Sequence, residues 1–150
     1  MEESVTERMV IGGTRDHCLE VLTAFELYPD WAADIKAVVV DELDEQGRAI
    51  KVRFRAAAFG RSTAYTLLYD YSDLPNELSW VQLAGDLTRR LDGCYQLAAS
   101  GDDATEITYQ LTVDLRVPLP GFVKRRAEGR IMGTALRELK ARVEGAEHRA

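Results

Sequence analysis

Histidine and cysteine are scarce, and their scarcity removes most metal and redox chemistry at once. The 150 residues hold two of each. Cys18 and Cys94 match no CxxC or zinc spacing, so free thiols of a reducing compartment are expected. His17 and His148 have no Cys, Asp or Glu at ligand spacing, so no metal site is expected and no cofactor is implied. A GxSxG elbow, a glycine-rich phosphate loop with its lysine and a dinucleotide fingerprint are also missing. Gly12-Gly13 precedes a helix and invites an anion-binding reading, but a strand-to-helix turn accounts for both glycines. No apolar run approaches the roughly 18 residues of a spanning helix. The opening MEESVTERMV lacks the basic and apolar regions of a signal peptide. A cytoplasmic protein is expected, with membrane contact at most transient.

Positive charge is in deficit overall. A net charge of −6 and a pI near 5.0 argue against nucleic acid as the main partner. The C-terminal segment departs from this: Leu115 to Glu144 carries eight Arg and Lys against three Glu. Either it is a solvated helix face balancing an acidic sheet, or it docks an acidic partner or anionic headgroups.

What is present suits one globular domain spanning 1–150, with its core over about 4–144: 46% of residues are hydrophobic and 29% charged. Turn chemistry recurs at Glu45-Gln46-Gly47, Phe59-Gly60-Arg61, Asp73-Leu74-Pro75-Asn76, Gly85-Asp86 and Ser100-Gly101-Asp102-Asp103. The stretches between read as an antiparallel meander. Thr105 to Leu115 alternates most cleanly, with Ile107, Tyr109, Leu111 and Val113 on one face and Glu106, Thr108, Gln110 and Thr112 on the other. The same period places Ile50, Val52 and Phe54, then Tyr65, Leu67 and Tyr69, then Gly93, Tyr95 and Leu97 on inner faces. Lys36–Leu43, Leu78–Ala84 and Ser4–Ile11 complete the strands. Thr14 caps a helix expected over Arg15–Phe25, and a short helical turn follows near Tyr28–Trp31. A long helix is expected after Pro120-Gly121 and up to about Glu144, with Phe122, Val123, Ala127, Ile131, Ala135, Leu139 and Val143 as its apolar stripe. So long a rod needs an equally long partner, and a strongly curved sheet supplies one.

That order of elements resembles the START-like (SRPBCC) helix-grip superfamily, in its polyketide cyclase/dehydrase and lipid-transport-like branch, to which coenzyme Q-binding proteins are related. The pieces that carry the resemblance are FELYPDWAADI (Phe25 to Ile35), SWVQLAGDL (Ser79 to Leu87), DGCYQL (Asp92 to Leu97), TEITYQLTVDL (Thr105 to Leu115) and VPLPGFVKRRAEGRI (Val117 to Ile131). It implies an α+β fold: a sheet of about seven antiparallel strands curved around the C-terminal helix, with two short helices after strand 1. It also implies a hydrophobic small-molecule ligand (a lipid, a quinone or a polyketide-like compound) between sheet and helix.

Inward alternation gathers polar-tipped aromatic residues on the concave face: Tyr65, Tyr69, Trp80, Tyr95 and Tyr109, with Phe54. They are either large core fillers or a cavity wall. With Trp31 at the mouth that the fold implies and Ile131 on the helix, they form the expected ligand-binding set. No catalytic residue is identified. An alternative is a cyclase or aromatase in which cavity Arg and Tyr groups polarise a carbonyl; it requires Arg89 or Arg90 to point inward. Arg53, Arg55, Arg61 and Asp92 are expected in solvent, and Asp70 is ambiguous. A further alternative is a protein-interaction module docking through the basic helix. Either a monomer or a homodimer is compatible with these features.

Overall fold

The computed structural model describes residues 3–58 and 60–147; Phe59 and His148 lie outside them. Strand β1 (Glu3–Ile11) leads into helix α1 (Arg15–Thr23), a 3-10 turn (Phe25–Leu27) and helix α2 (Tyr28–Trp31). Strands β2 (Ile35–Leu43), β3 (Ala49–Ala58), β4 (Arg61–Asp70), β5 (Glu77–Gly85), β6 (Thr88–Ala99) and β7 (Thr105–Leu115) follow, then helix α3 (Gly121–Glu147). The seven strands form one antiparallel sheet in the order β1-β7-β6-β5-β4-β3-β2. It curves around α3, the expected helix-grip arrangement.

The curvature has local causes. Register shifts interrupt β2–β3, β4–β5 and β6–β7, and each extra residue bends a strand and increases its twist. Gly93 is a second device. A Cβ there would meet the Gln110 carbonyl oxygen at 2.5 Å and the Trp80 indole at 2.7 Å, so only glycine lets the indole lie against β6.

The alternation read from β3, β4, β6 and β7 holds. Val52, Phe54, Leu67, Leu97, Ile107, Tyr109, Leu111 and Val113 are buried. Helix α1 is capped as expected, with the His17 amide donating to Thr14 Oγ1 at 3.2 Å. It ends two residues before the expected Phe25. The Thr23 hydroxyl bonds back to the Leu19 carbonyl at 2.7 Å, and Ala24 leaves helical geometry at ψ 68°. The Gly12 amide does meet an anion, but one from the same chain: it donates to Glu144 Oε2 at 2.8 Å, and a Cβ on Gly13 would strike Val143 at 2.5 Å. The two glycines bring β1 against α3.

Helix α3, 27 residues long, spans about 40 Å. Its buried line departs from the expected stripe over the first turns and meets it at Leu139 and Val143. Phe122 is 69% exposed and Val123 is also exposed, while Lys124, Glu128, Met132, Leu136, Leu139 and Val143 are buried. The inward face thus lies about one residue round from the apolar average, because two charged residues occupy its first turns. Arg125, Arg126, Arg130, Arg137 and Arg142 remain in solvent. Among the described residues no helix is long and apolar enough to cross a membrane.

Candidate functional site

Sheet register sets the site. Phe54 on β3 pairs with Tyr65 on β4, Tyr69 on β4 with Trp80 on β5, Trp80 with Gly93 on β6, and Tyr95 on β6 with Tyr109 on β7. Cross-strand partners on one face put their side chains in contact, and here the result is a belt of rings across the concave surface. Centroid separations are 5.3 Å for Phe54–Tyr65, 5.8 Å for Tyr69–Trp80, 5.2 Å for Trp80–Tyr95 and 4.6 Å for Tyr95–Tyr109. Trp31 on α2 extends the belt through Tyr28 at 5.0 Å. The loop beyond it is tied to α3, since the Ala33 amide donates to Glu138 Oε2 at 3.0 Å.

Between this belt and α3 lies a cavity of about 160 Å³. Trp31, Phe54, Tyr65, Tyr69, Trp80, Tyr95, Tyr109 and Ile131 all border it, with Ala135 and Glu128 on the helix side and Thr63 and Thr88 on the sheet side. The eight residues expected from the sequence are therefore brought together around one space. An apolar cavity of roughly 150 Å³ accommodates a benzene-sized guest, whereas pockets for drug-sized ligands begin near about 300 Å³.

Much of the polar lining is satisfied within the chain. The Tyr28 hydroxyl donates to the Leu22 carbonyl at 2.5 Å, Thr63 Oγ1 donates to Asp86 at 2.5 Å, and the Thr88 hydroxyl bonds to Gln82. Trp80, only 6% exposed, has its Nε1 buried without a partner. Among the described residues the Tyr65 and Tyr69 hydroxyls make no hydrogen bond, so these groups are available to a guest. Burial, reinforced by neighbouring tyrosines, raises Tyr28, Tyr65, Tyr69, Tyr95 and Tyr109 well above the ordinary phenol value. At neutral pH they are hydrogen-bond donors rather than bases.

The inward arginine is not there. Arg89 and Arg90 both lie in solvent, Arg89 near Asp114 at 3.9 Å and Arg90 on Asp92 at 2.6 Å. The alternation fixed by Leu91, Gly93 and Tyr95 would turn Arg89 inward, but the register slips between Thr88 and Arg90. Thr88 takes the buried position instead. A bulge that keeps a guanidinium in water avoids the cost of burying an unpaired charge. Asp92 stays on the outer face, accepting from the Gln82 amide at 2.8 Å, and Asp70 is exposed, bonded to the Ser72 amide. Arg53, Arg55 and Arg61 are exposed as expected.

Three carboxylates border the cavity, Asp34, Glu128 and Glu138, and the buried one, Glu128, has no place in the sequence-based expectation. It is 1% exposed and 3.6 Å from Lys124, whose ammonium donates to the Val113 carbonyl at 2.7 Å. The available signal was spacing: 124, 128, 132 and 136 fall on one line of the helix, and the last two are Met132 and Leu136. Among the described residues no cluster of His, Cys, Asp or Glu is placed to hold a metal ion.

A family model described as polyketide cyclase/dehydrase and lipid transport matches residues 13–140. No protein of curated function matches the sequence. Among solved structures, a START superfamily protein from Mycobacterium smegmatis superposes with a TM-score of 0.90 at 20% identity, over 95% of this chain and 98% of that one. The ZhuI aromatase/cyclase of Streptomyces sp. R1128 gives 0.82 at 14% identity, over 96% and 94%. Major latex-like protein 151 of Panax ginseng gives 0.72 at 11% identity, over 94% and 97%. At these identities the likeness is one of fold.

Proposed function

Because the chain belongs to the polyketide cyclase/dehydrase and lipid transport family, we propose that it binds an apolar small molecule, of about single-ring size at its buried end, between its sheet and α3. The observation that carries this reading is the cavity itself, ringed by Trp31, Phe54, Tyr65, Tyr69, Trp80, Tyr95, Tyr109 and Ile131. Aromatic walls supply contact area, and the Tyr65 and Tyr69 hydroxyls with the Trp80 N–H supply a few directional contacts, the usual composition of a small-molecule site. A carbonyl or ether oxygen near those donors suits the guest. Arg89 and Arg90 pair with Asp114 and Asp92 outside the cavity, so the reading rests on binding and takes no step from them.

Native mass spectrometry after incubation with a mixture of one- and two-ring aromatic ketones, phenols and sugars tests the reading. One-to-one adducts with the aromatic compounds, and none with the sugars, are expected. Absence of every aromatic adduct, or adducts that survive unfolding unchanged, contradicts it.

A further inference from the structure

Beside the cavity, between the first half of α3 and the β3–β4 hairpin, runs an open groove of about 1060 Å³. Cavity and groove share Asp34, Ala58, Ile131 and Thr134, so the groove begins where the cavity opens. Its floor is apolar, through residues such as Leu119, Val123 and Ala127, but its charged lining is Lys36, Arg61, Arg126 and Arg130 against Asp34 alone. Four cations to one anion is a local inversion in a chain of net charge −6. Arg126 and Arg130 are one helical turn apart and face the same way. Arg61, Arg126 and Arg130 have no ion pair among the described residues. The Lys36 ammonium donates to the Ala33 carbonyl at 2.8 Å and keeps its remaining protons for another acceptor. Cations grouped over apolar walls focus a positive field and favour an anion there over solvent.

We propose that the groove receives the anionic group, a carboxylate in the first instance, of an amphipathic guest whose apolar end occupies the cavity. This deepens the ligand-binding reading above and rests on it. The guest is a monomeric amphipath: a ring or short chain inserted past Ile131 and Thr134, a linker through the mouth, and a carboxylate against Arg126, Arg130 and Arg61. The division also accounts for a buried space that is small while the neighbouring groove is large. A carboxylate on arginine forms charge-assisted, frequently bidentate hydrogen bonds, so the acid end fixes orientation and the cavity selects the apolar end.

The test compares two soluble probes that differ only in the head, ω-phenylhexanoate and ω-phenylhexanol, by calorimetry on the wild type and on the Arg126→Gln/Arg130→Gln variant. At low salt the acid binds the wild type about tenfold tighter than the alcohol, the scale of a charge-assisted contact at a partly exposed site. The difference closes in roughly 1 M salt, where screening acts within about 3 Å, and in the double variant. Circular dichroism confirms that the variant is folded. Equal affinity of acid and alcohol for the wild type overturns the proposal and leaves the cavity reading standing. Binding of neither probe removes both. A preference for acid that persists in the double variant places the anion elsewhere and also overturns it. So does binding to anionic phosphatidylglycerol vesicles without any preference for the soluble acid, which assigns the groove to a lipid surface.

Discussion

Exchange of Lys124 for methionine lowers the unfolding free energy by about 3–5 kcal/mol, the cost of removing one partner from a buried ion pair. Methionine keeps the length of the stem, so packing changes little. What disappears is the ammonium that stands 3.6 Å from Glu128 Oε2 and donates to the Val113 carbonyl at 2.7 Å. Glu128, 1% exposed, then keeps its carboxylate in a nearly water-free site with that ammonium gone. The double variant Lys124→Met/Glu128→Met recovers more than half of the loss, because exchanging both members of a buried pair for apolar groups is often close to neutral. Urea unfolding of the two variants checks the pair. A single variant within about 0.5 kcal/mol of wild type, as for an ordinary surface change, contradicts it.

The second large effect is an alkaline transition. A tyrosine in an unfolded chain ionises near pH 10. Burial, reinforced by the neighbouring tyrosines, holds Tyr28, Tyr65, Tyr69, Tyr95 and Tyr109 above that value, and burial pushes Tyr71 up to about 12. The folded state therefore keeps protons that the unfolded state releases. Stability is complete below about pH 10 and is lost as pH rises through the interval up to the folded-state values, at about 1.4 kcal/mol per pH unit for each such tyrosine. Several tyrosines acting together exhaust the roughly 5–15 kcal/mol of a typical domain within one to a few pH units. Circular dichroism and tyrosinate absorbance followed together on raising the pH are expected to change in one steep, shared transition above about pH 10.5. Ionisation of most of the six tyrosines near pH 10 with the sheet intact contradicts the buried belt.

The belt was legible because alternation is a strong signal where one face is wet. In β7, Ile107, Tyr109, Leu111 and Val113 alternate with Glu106, Thr108, Gln110 and Thr112, and the period admits one assignment of faces. In β6, Gly93, Tyr95 and Leu97 carry the same information. The period fails where a strand bulges. Arg89 is inward by parity and outward in the fold, and two adjacent arginines say nothing about which one is skipped. Helix α3 was legible in extent but not in rotation. Averaging over Phe122, Val123, Ala127 and Ile131 points the helix one residue away from its true inner face, because Lys124 and Glu128 are counted as solvent-facing when they neutralise each other in the interior. A Lys and a Glu four residues apart ordinarily mark a solvated helix face, so their spacing reads as exposure until Met132 and Leu136 are seen to continue the same line. The groove was visible only as an excess of basic residues near the C-terminus. That Arg61 from β4 and Lys36 from β2 join Arg126 and Arg130 is a property of tertiary structure.

A guest held between the aromatic belt and α3 is displaced when that space is filled from the helix side. Ala135 borders the cavity on α3 and is half-buried; Ala135→Phe projects a ring of about the guest's own size into it. Calorimetric titration with ω-phenylhexanol, compared between wild type and Ala135→Phe, separates the cavity from any other surface. One-to-one binding to the wild type and a loss of at least about fiftyfold in the variant are expected, since a guest that meets a filled site forfeits most of its apolar burial, while the variant's melting temperature stays within a few degrees of wild type. Equal affinity for both proteins, with the variant folded, would place the guest outside the cavity and contradict binding between sheet and helix.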